Sequence, residues 1–406
     1  MLKLYIPVFI MLSSNLSFSK DLKENKNTET HPSEISESAA TEEKNKGTLS
    51  FNGYLDSYYS ANFNKPLSMT NSGQSGTSRV FDTRSGQLTL GLIQTMLSYT
   101  TDRSEAVVDL AFGPNADMAN YGNAIYSSAL IIKQAYFSYN FTDKFSMTVG
   151  QFGTHIGYEV IDAPVNFNYS LSNLFNNGPF YHAGLKATYS FSDKAALMVG
   201  VVNNVDGLGD NNRKKGLIGQ FFVSPTDGWS IYLNAIYSNE ANPSTTGNTP
   251  KAFYEVLDLA TTYQVTDNVL LGFNTAIGSQ KGDMQGAGGP SDAKNWGGAA
   301  FYANLKTSEL FSIGGRYEYF DNTNGVRGLL SYPQGPDNPG IGTHVSSYTL
   351  TGNFTLASGH ILIKPEIRMD AHAKRNGNEL QQFEDAKGNF TKNSQTTAGL
   401  AFIYKF

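Results

Sequence analysis

The stretch ILIKPEIRMD, residues 361–370, carries the cleanest two-faced pattern in the chain. Taken alternately, its side chains sort into two sets. Ile361, Ile363, Pro365, Ile367 and Met369 form one; Leu362, Lys364, Glu366, Arg368 and Asp370 form the other. Successive side chains of a strand point to opposite faces. One face is therefore apolar and the other carries four charges of alternating sign. A strand of a soluble sandwich also alternates, so the rest of the chain must say which solvent each face meets.

The same two-faced pattern recurs outward from this stretch. Leu257, Leu259, Thr261 and Tyr263 oppose Val256, Asp258, Ala260 and Thr262. Phe311, Ile313, Gly315, Tyr317 and Tyr319 oppose Ser312, Gly314, Arg316 and Glu318. The second face is repeatedly small or polar, which suits a wet lumen better than a dry core.

Connections alternate between short and long. Short ones, such as 142–144, 192–194, 266–268 and 307–309, are built from Asp, Ser, Thr, Asn, Lys and Glu. Long polar or glycine-rich ones lie between them, at 62–83, 153–180, 279–295, 322–343 and 372–394. Short turns on one side and long loops on the other are the asymmetry of barrels that cross an outer membrane. The reading is an all-β, antiparallel, up-and-down transmembrane β-barrel of about sixteen strands, fourteen and eighteen being the alternatives. Sixteen strands leave about 22 residues per strand and connection, against roughly 9–11 for a tilted spanning strand. Aromatic residues near the strand ends, among them Tyr99, Phe141, Tyr189, Trp229 and Tyr263 at the short turns and Tyr59, Tyr237 and Tyr319 at the long loops, predict interfacial girdles.

The chain of 406 residues has 16% charged residues, below the roughly 25% of soluble domains, and 13% aromatics. It has no cysteine, so neither disulfides nor a lipid-modified cysteine are available. A net charge of -5 gives no sign of a nucleic-acid partner. At the N-terminus Lys3 precedes an apolar run over 4–12, with small residues Ser17 and Ser19 behind it. That run is too short to span a bilayer as a helix and predicts a signal peptide, residues 1–19. Residues 20–47 are polar and lack aromatics, which predicts a disordered periplasmic leader. Residues 48–406 are the expected barrel. The last strand places Thr396, Ala398, Leu400, Phe402, Tyr404 and Phe406 on one face, a pattern of the kind the barrel-assembly machinery recognises.

No nucleophile-elbow, zincin or P-loop motif occurs, and the six histidines are scattered, so no enzyme and no cofactor is expected. The loop 206–210 could hold calcium but lacks the ligand spacing of a dedicated site. A plugged 22-strand transporter needs a longer chain. By parity the lumen receives Asp56, Asp109, Lys133, Lys186, Asp258, Arg316, Glu318, Lys364, Glu366, Arg368 and Asp370. Mixed signs on two strands expected to lie two apart suit either a transverse field or structural ion pairs. Residues 153–180, with Tyr158, Glu159 and Asp162, are the constriction-loop candidates; the alternatives are a cap over the barrel and a contact with a neighbouring subunit.

The segments KQAYFSYN (133–140), VGQFGTHIGYEVIDAPVNFNYS (149–170), GPFYHAGLKATYSFSDK (178–194) and FNGYLDSYYSANFNKP (51–66) resemble the OmpL-like β-barrel porins. The likeness is specific over the first half of the barrel and rests on general pattern beyond Val205. It implies a porin-like barrel and gives no defined substrate or catalytic residues. With the barrel's size and polar inner face, the expectation is a porin in the outer membrane of a Gram-negative bacterium, passing small hydrophilic solutes or ions. The expected partners are outer-membrane lipid, lipopolysaccharide and the barrel-assembly machinery. A homotrimer is the assembly that analogy with sixteen-stranded porins suggests. The alternatives are a non-channel barrel displaying its loops for adhesion or assembly, and a barrel-embedded hydrolase.

Two features resist simple pairing. Pro365 has no N–H for the ladder, and Leu88, Leu90 and Leu92 change phase with Ile93, Thr95 and Leu97. The first predicts a bulge, and the second a bulge or a wrong register.

Overall fold

The computed structural model describes residues 47–119, 131–210, 212–240, 252–281, 292–327, 342–373 and 381–406. The expected signal peptide and all of the leader but Gly47 lie outside the described residues.

Sixteen strands close a barrel. The first eight are β1 (Thr48–Asn62), β2 (Leu88–Thr100), β3 (Ser104–Phe112), β4 (Ile132–Asn140), β5 (Phe145–Gly153), β6 (Tyr181–Ser192), β7 (Ala195–Val202) and β8 (Gly216–Val223). The next seven are β9 (Trp229–Ser238), β10 (Phe253–Thr266), β11 (Val269–Lys281), β12 (Lys294–Ser308), β13 (Phe311–Asp321), β14 (His344–Leu356) and β15 (Ile361–His372). A small hairpin, β16 (Phe383–Glu384) and β17 (Phe390–Lys392), precedes the closing strand β18 (Ser394–Lys405). Sequential barrel strands pair antiparallel, and β18 pairs β1 from Tyr54↔Lys405 to Asn62↔Thr397. Closure leaves no unpaired edge in lipid, which is why a sheet can span a bilayer at all. Phe406 completes the seam: its N–H donates to Gly53 O at 3.1 Å, and its carbonyl accepts from Gly53 N at 3.2 Å.

Burial is inverted relative to a water-soluble protein. Leu88, Leu257 and Ile277 are each about two-thirds exposed, while Asp109, Glu318 and Arg368 are essentially inaccessible. An apolar belt this continuous needs a lipid partner. Exposed aromatics mark its short-turn rim, where Tyr139 packs on Phe141 at 5.0 Å, Tyr189 on Phe191 at 5.2 Å and Trp229 on Tyr263 at 5.8 Å. Tyr59, Tyr237, Tyr319 and Tyr348 are exposed toward the long-loop end.

The two irregular places resolve differently. Between β1 and β2 the register shifts after Leu55↔Ile93 to Ser57↔Leu90, so Gly91 and Leu92 share the place opposite Asp56. The bulge turns Leu92 inward and keeps Leu88, Leu90 and Ile93 on the lipid side. Asp56 Oδ1 accepts from the Leu92 N–H at 2.7 Å, and a side chain on Gly91 would collide with that carboxylate. At Pro365 the expected bulge is absent: Thr351↔Glu366 and Phe354↔Ile363 keep one register. Gly352 is the reason. It faces Pro365 across the ladder, where even a methyl group would stand 3.3 Å from Pro365 Cγ.

Candidate functional site

The barrel encloses residues 154–180, which leave β5 and return to β6 across the interior. The neck is closed by Thr154 N donating to Phe180 O at 3.1 Å. An irregular segment cannot satisfy its own backbone groups, so the wall must do it. Inward side chains from most of the circumference supply the partners.

On the β9–β12 wall, the His155 ring nitrogen Nε2 bonds Ala235 O at 3.0 Å. Gly157 N donates to Asp258 Oδ1 at 3.1 Å, and that carboxylate also accepts from Asn234 and Asn274. Tyr158 stacks on Tyr302 with centroids 4.2 Å apart. On β13, Arg316 pairs with Glu159 and donates to Ser170 O at 2.7 Å. Glu318 accepts from Asn173 N, Asn173 Nδ2 and Leu174 N, each at 2.8 Å. These donors open the second of two short helices, α2 (Asn173–Asn177), the first being α1 (Pro114–Ala119), and Ser172 caps α2 by accepting from Phe175 N.

The alternating charges of β15 take the middle of the segment. Lys364 Nζ donates to Ala163 O at 2.8 Å and Asn166 O at 2.5 Å. Glu366 accepts from Tyr169 N at 2.7 Å and Ser170 N at 3.2 Å. Arg368 donates to Leu171 O at 2.7 Å. Lys364 and Arg368 meet carbonyls and Glu366, between them, meets amides, so their sign order matches the polarity of the chain they hold. On β4, a bulge at Lys133 aims both Lys133 and Gln134 at Asp109, at 3.3 and 3.1 Å. Lys133 also reaches Asp162 at 2.5 Å, and Tyr54 OH donates to the same carboxylate at 3.1 Å.

A second segment lies against the first. In the 63–87 connection Arg79 is fully buried. It pairs with Asp82, donates to Asp370 at 2.7 Å and to Thr397 at 3.2 Å. Asp370 in turn accepts from Arg368 at 2.8 Å and Ser347 at 2.7 Å. Phe81 packs on Phe175 and Phe180 of the in-folded segment at 5.8 and 5.7 Å. Sequence reasoning missed Arg79; its one signal was a lone apolar pair, Val80 and Phe81, beside an arginine in a Ser- and Gly-rich loop.

Every residue assigned inward by parity points inward, and β13 and β15 lie two apart. Ten of the eleven bond the in-folded segment, the 63–87 connection or a neighbouring strand, and Lys186 on β6 stands apart from them. In the 203–215 connection Asp206 accepts from Phe180 N at 2.9 Å and Tyr181 N at 3.2 Å, and Asp210 pairs with Lys215. Burial pushes the Asp206 carboxyl up to about 7. Among the described residues no group of three His, Asp or Glu is placed to hold a metal ion.

The family model described as "Putative beta-barrel porin-2, OmpL-like" matches residues 48–406. No curated protein matches the chain. Several solved structures share the fold at low identity. The outer-membrane OmpT of Vibrio cholerae is 13% identical with a TM-score of 0.51, covering 92% of this chain and 100% of its own. An anion-selective porin from Comamonas acidovorans is 12% identical with a TM-score of 0.55, covering 89% and 100%. The outer membrane channel DcaP of Acinetobacter baumannii is 11% identical with a TM-score of 0.54, covering 91% and 99%.

Proposed function

The chain belongs to the OmpL-like β-barrel porins, multi-pass barrels of the Gram-negative outer membrane, and from that premise we propose that it passes small hydrophilic solutes and ions by diffusion. The observation that carries this reading is residues 154–180 crossing a sixteen-strand lumen. A barrel of that size leaves an aqueous channel unless something fills it. The segment narrows the channel at mid-height, setting an upper size for solutes. In this reading Lys133, Lys186, Asp258, Arg316, Glu318, Lys364, Glu366, Arg368 and Asp370 line the path or hold its constriction, and Tyr158, Glu159 and Asp162 are part of the constriction itself. The wall charges act mainly as anchors, because their partners are carbonyls, amides and opposite charges of the segment. A homotrimer is the proposed assembly; a solved OmpT of Vibrio cholerae is described in a trimer form.

A specific observation favours a second reading. Arg79 and Phe81 seat a second segment on the first, which suits a sealed barrel that displays its outer loops. Swelling of liposomes carrying the refolded chain separates the two. Diffusion predicts fast swelling in small uncharged solutes, slowing steeply with solute size. Swelling no faster than protein-free liposomes in every solute means a sealed barrel.

A further inference from the structure

Six lysines and arginines are buried inside the described barrel: Arg79, Lys133, Lys186, Arg316, Lys364 and Arg368. Five have an anionic or carbonyl partner. Lys186 has none among the described residues. Its ammonium stands 4.4 Å over the centre of the Phe152 ring. Its cross-strand neighbours are Thr148, whose hydroxyl is shared with Ser138 at 2.7 Å, and Gly200. The titratable groups that interact electrostatically with Lys186 are His182, bonded to Thr154 at 3.0 Å, and His155, whose ring lies 5.6 Å from that of His182. Neither brings negative charge.

A ring face replaces only part of the hydration an ammonium loses on burial, and buried charges are ordinarily paired. The position also has an approach. An apolar cluster flanks it: Val202 lies toward the long loops, Ile218 stands at its level beside Gly200, and Met198, opposite Thr188, lies toward the short turns. Toward the short turns the same face of β6 continues as Thr188 and Ser190, both half-buried. The ammonium therefore sits at the margin of a dry cluster, with half-buried hydroxyls on its short-turn side.

We propose that Lys186 is the cationic centre of an anion-binding subsite in the lumen, open from the short-turn side and taking a small inorganic anion or the oxyanion group of a solute. The inference rests on the diffusion reading for its physiological use, but binding can be tested without current. Inorganic phosphate is the probe, and folded full-length chain in detergent is compared with Lys186→Met and Lys186→Arg. Phosphate should raise the unfolding temperature of the wild type and of Lys186→Arg, and leave Lys186→Met unmoved. Lys186→Met removes an unpaired buried charge, so it should fold at least as well as the wild type; should it not, Lys186→Gln serves in its place. In planar bilayers phosphate should block chloride current, and loss of the ammonium should weaken that block by about tenfold and lower the chloride-to-potassium permeability ratio about threefold. Equal phosphate responses in the wild type and Lys186→Met overturn the subsite even if both conduct. A wild type that binds phosphate but carries no current overturns the diffusion reading and leaves the subsite standing.

Discussion

Replacing Glu318 by Ala removes an acceptor from three donors, of which only Asn173 Nδ2 keeps a second partner, Ser347 Oγ at 3.1 Å. Asn173 N, Asn173 Nδ2 and Leu174 N each reach the carboxylate at 2.8 Å, and the residue is inaccessible to solvent. A buried donor left unpaired costs about 1–3 kcal/mol. Water entering the vacated space meets part of that need, which puts the total near the lower bound, about 3 kcal/mol for three donors. Every 1.4 kcal/mol is tenfold, so the population in which α2 has left the wall should rise about 100-fold. Hydrogen exchange read by mass spectrometry on peptides covering 168–180 measures that population. The variant should exchange there about two decades faster, with exchange in the barrel strands unchanged. Glu318→Gln keeps one acceptor oxygen and should fall between the two. Equal exchange in Glu318→Ala and the wild type would refute the view that wall charges hold the segment.

Arg79→Met leaves Asp82 and Asp370 without their shared partner; breaking a buried pair costs roughly 3–5 kcal/mol, so the 63–87 connection should become sensitive to added protease while the barrel stays intact. Asp206 has its carboxyl raised to about 7 in the fold, so the native state holds more protons than the unfolded chain between about pH 4 and pH 7. Native stability from this group is full below about pH 4 and falls as pH rises to about 7; Asp206→Asn should abolish that decline in the denaturant midpoint read by tryptophan fluorescence. Gly352→Val places a branched side chain against Pro365 and should cost about 1–3 kcal/mol, seen as a lower fraction of heat-modifiable, folded barrel on a gel.

What could be read from the sequence follows from range. Parity along one strand is local, so Arg316, Glu318 and the four charges of β15 were assigned a face without any structure. The phase change between Leu92 and Ile93 was equally local and marks a real bulge, although the structure sets it at Gly91 and Leu92 and turns Leu92 inward. Pro365 misled because its accommodation depends on Gly352, a residue on the neighbouring strand with no signature of its own. The course of residues 154–180 was not legible for the same reason at longer range. Its length singled it out, with Tyr158, Glu159 and Asp162, but inward folding depends on partners such as Arg316, 157 residues from Glu159. The β15 charges suited a transverse field or structural pairs equally until their partners were seen. Those partners are mostly carbonyls and amides of the segment, so removing one charge should loosen the constriction before it retunes selectivity.

Single-channel recording of the refolded wild-type chain in a planar bilayer decides whether the narrowed barrel conducts. A barrel narrowed at mid-height predicts stepwise conductance of uniform size, and a variant lacking residues 156–178 should give larger steps. No steps from the wild type at any salt or voltage, while the shortened variant conducts, would contradict the account: the barrel would be real and the segment a seal.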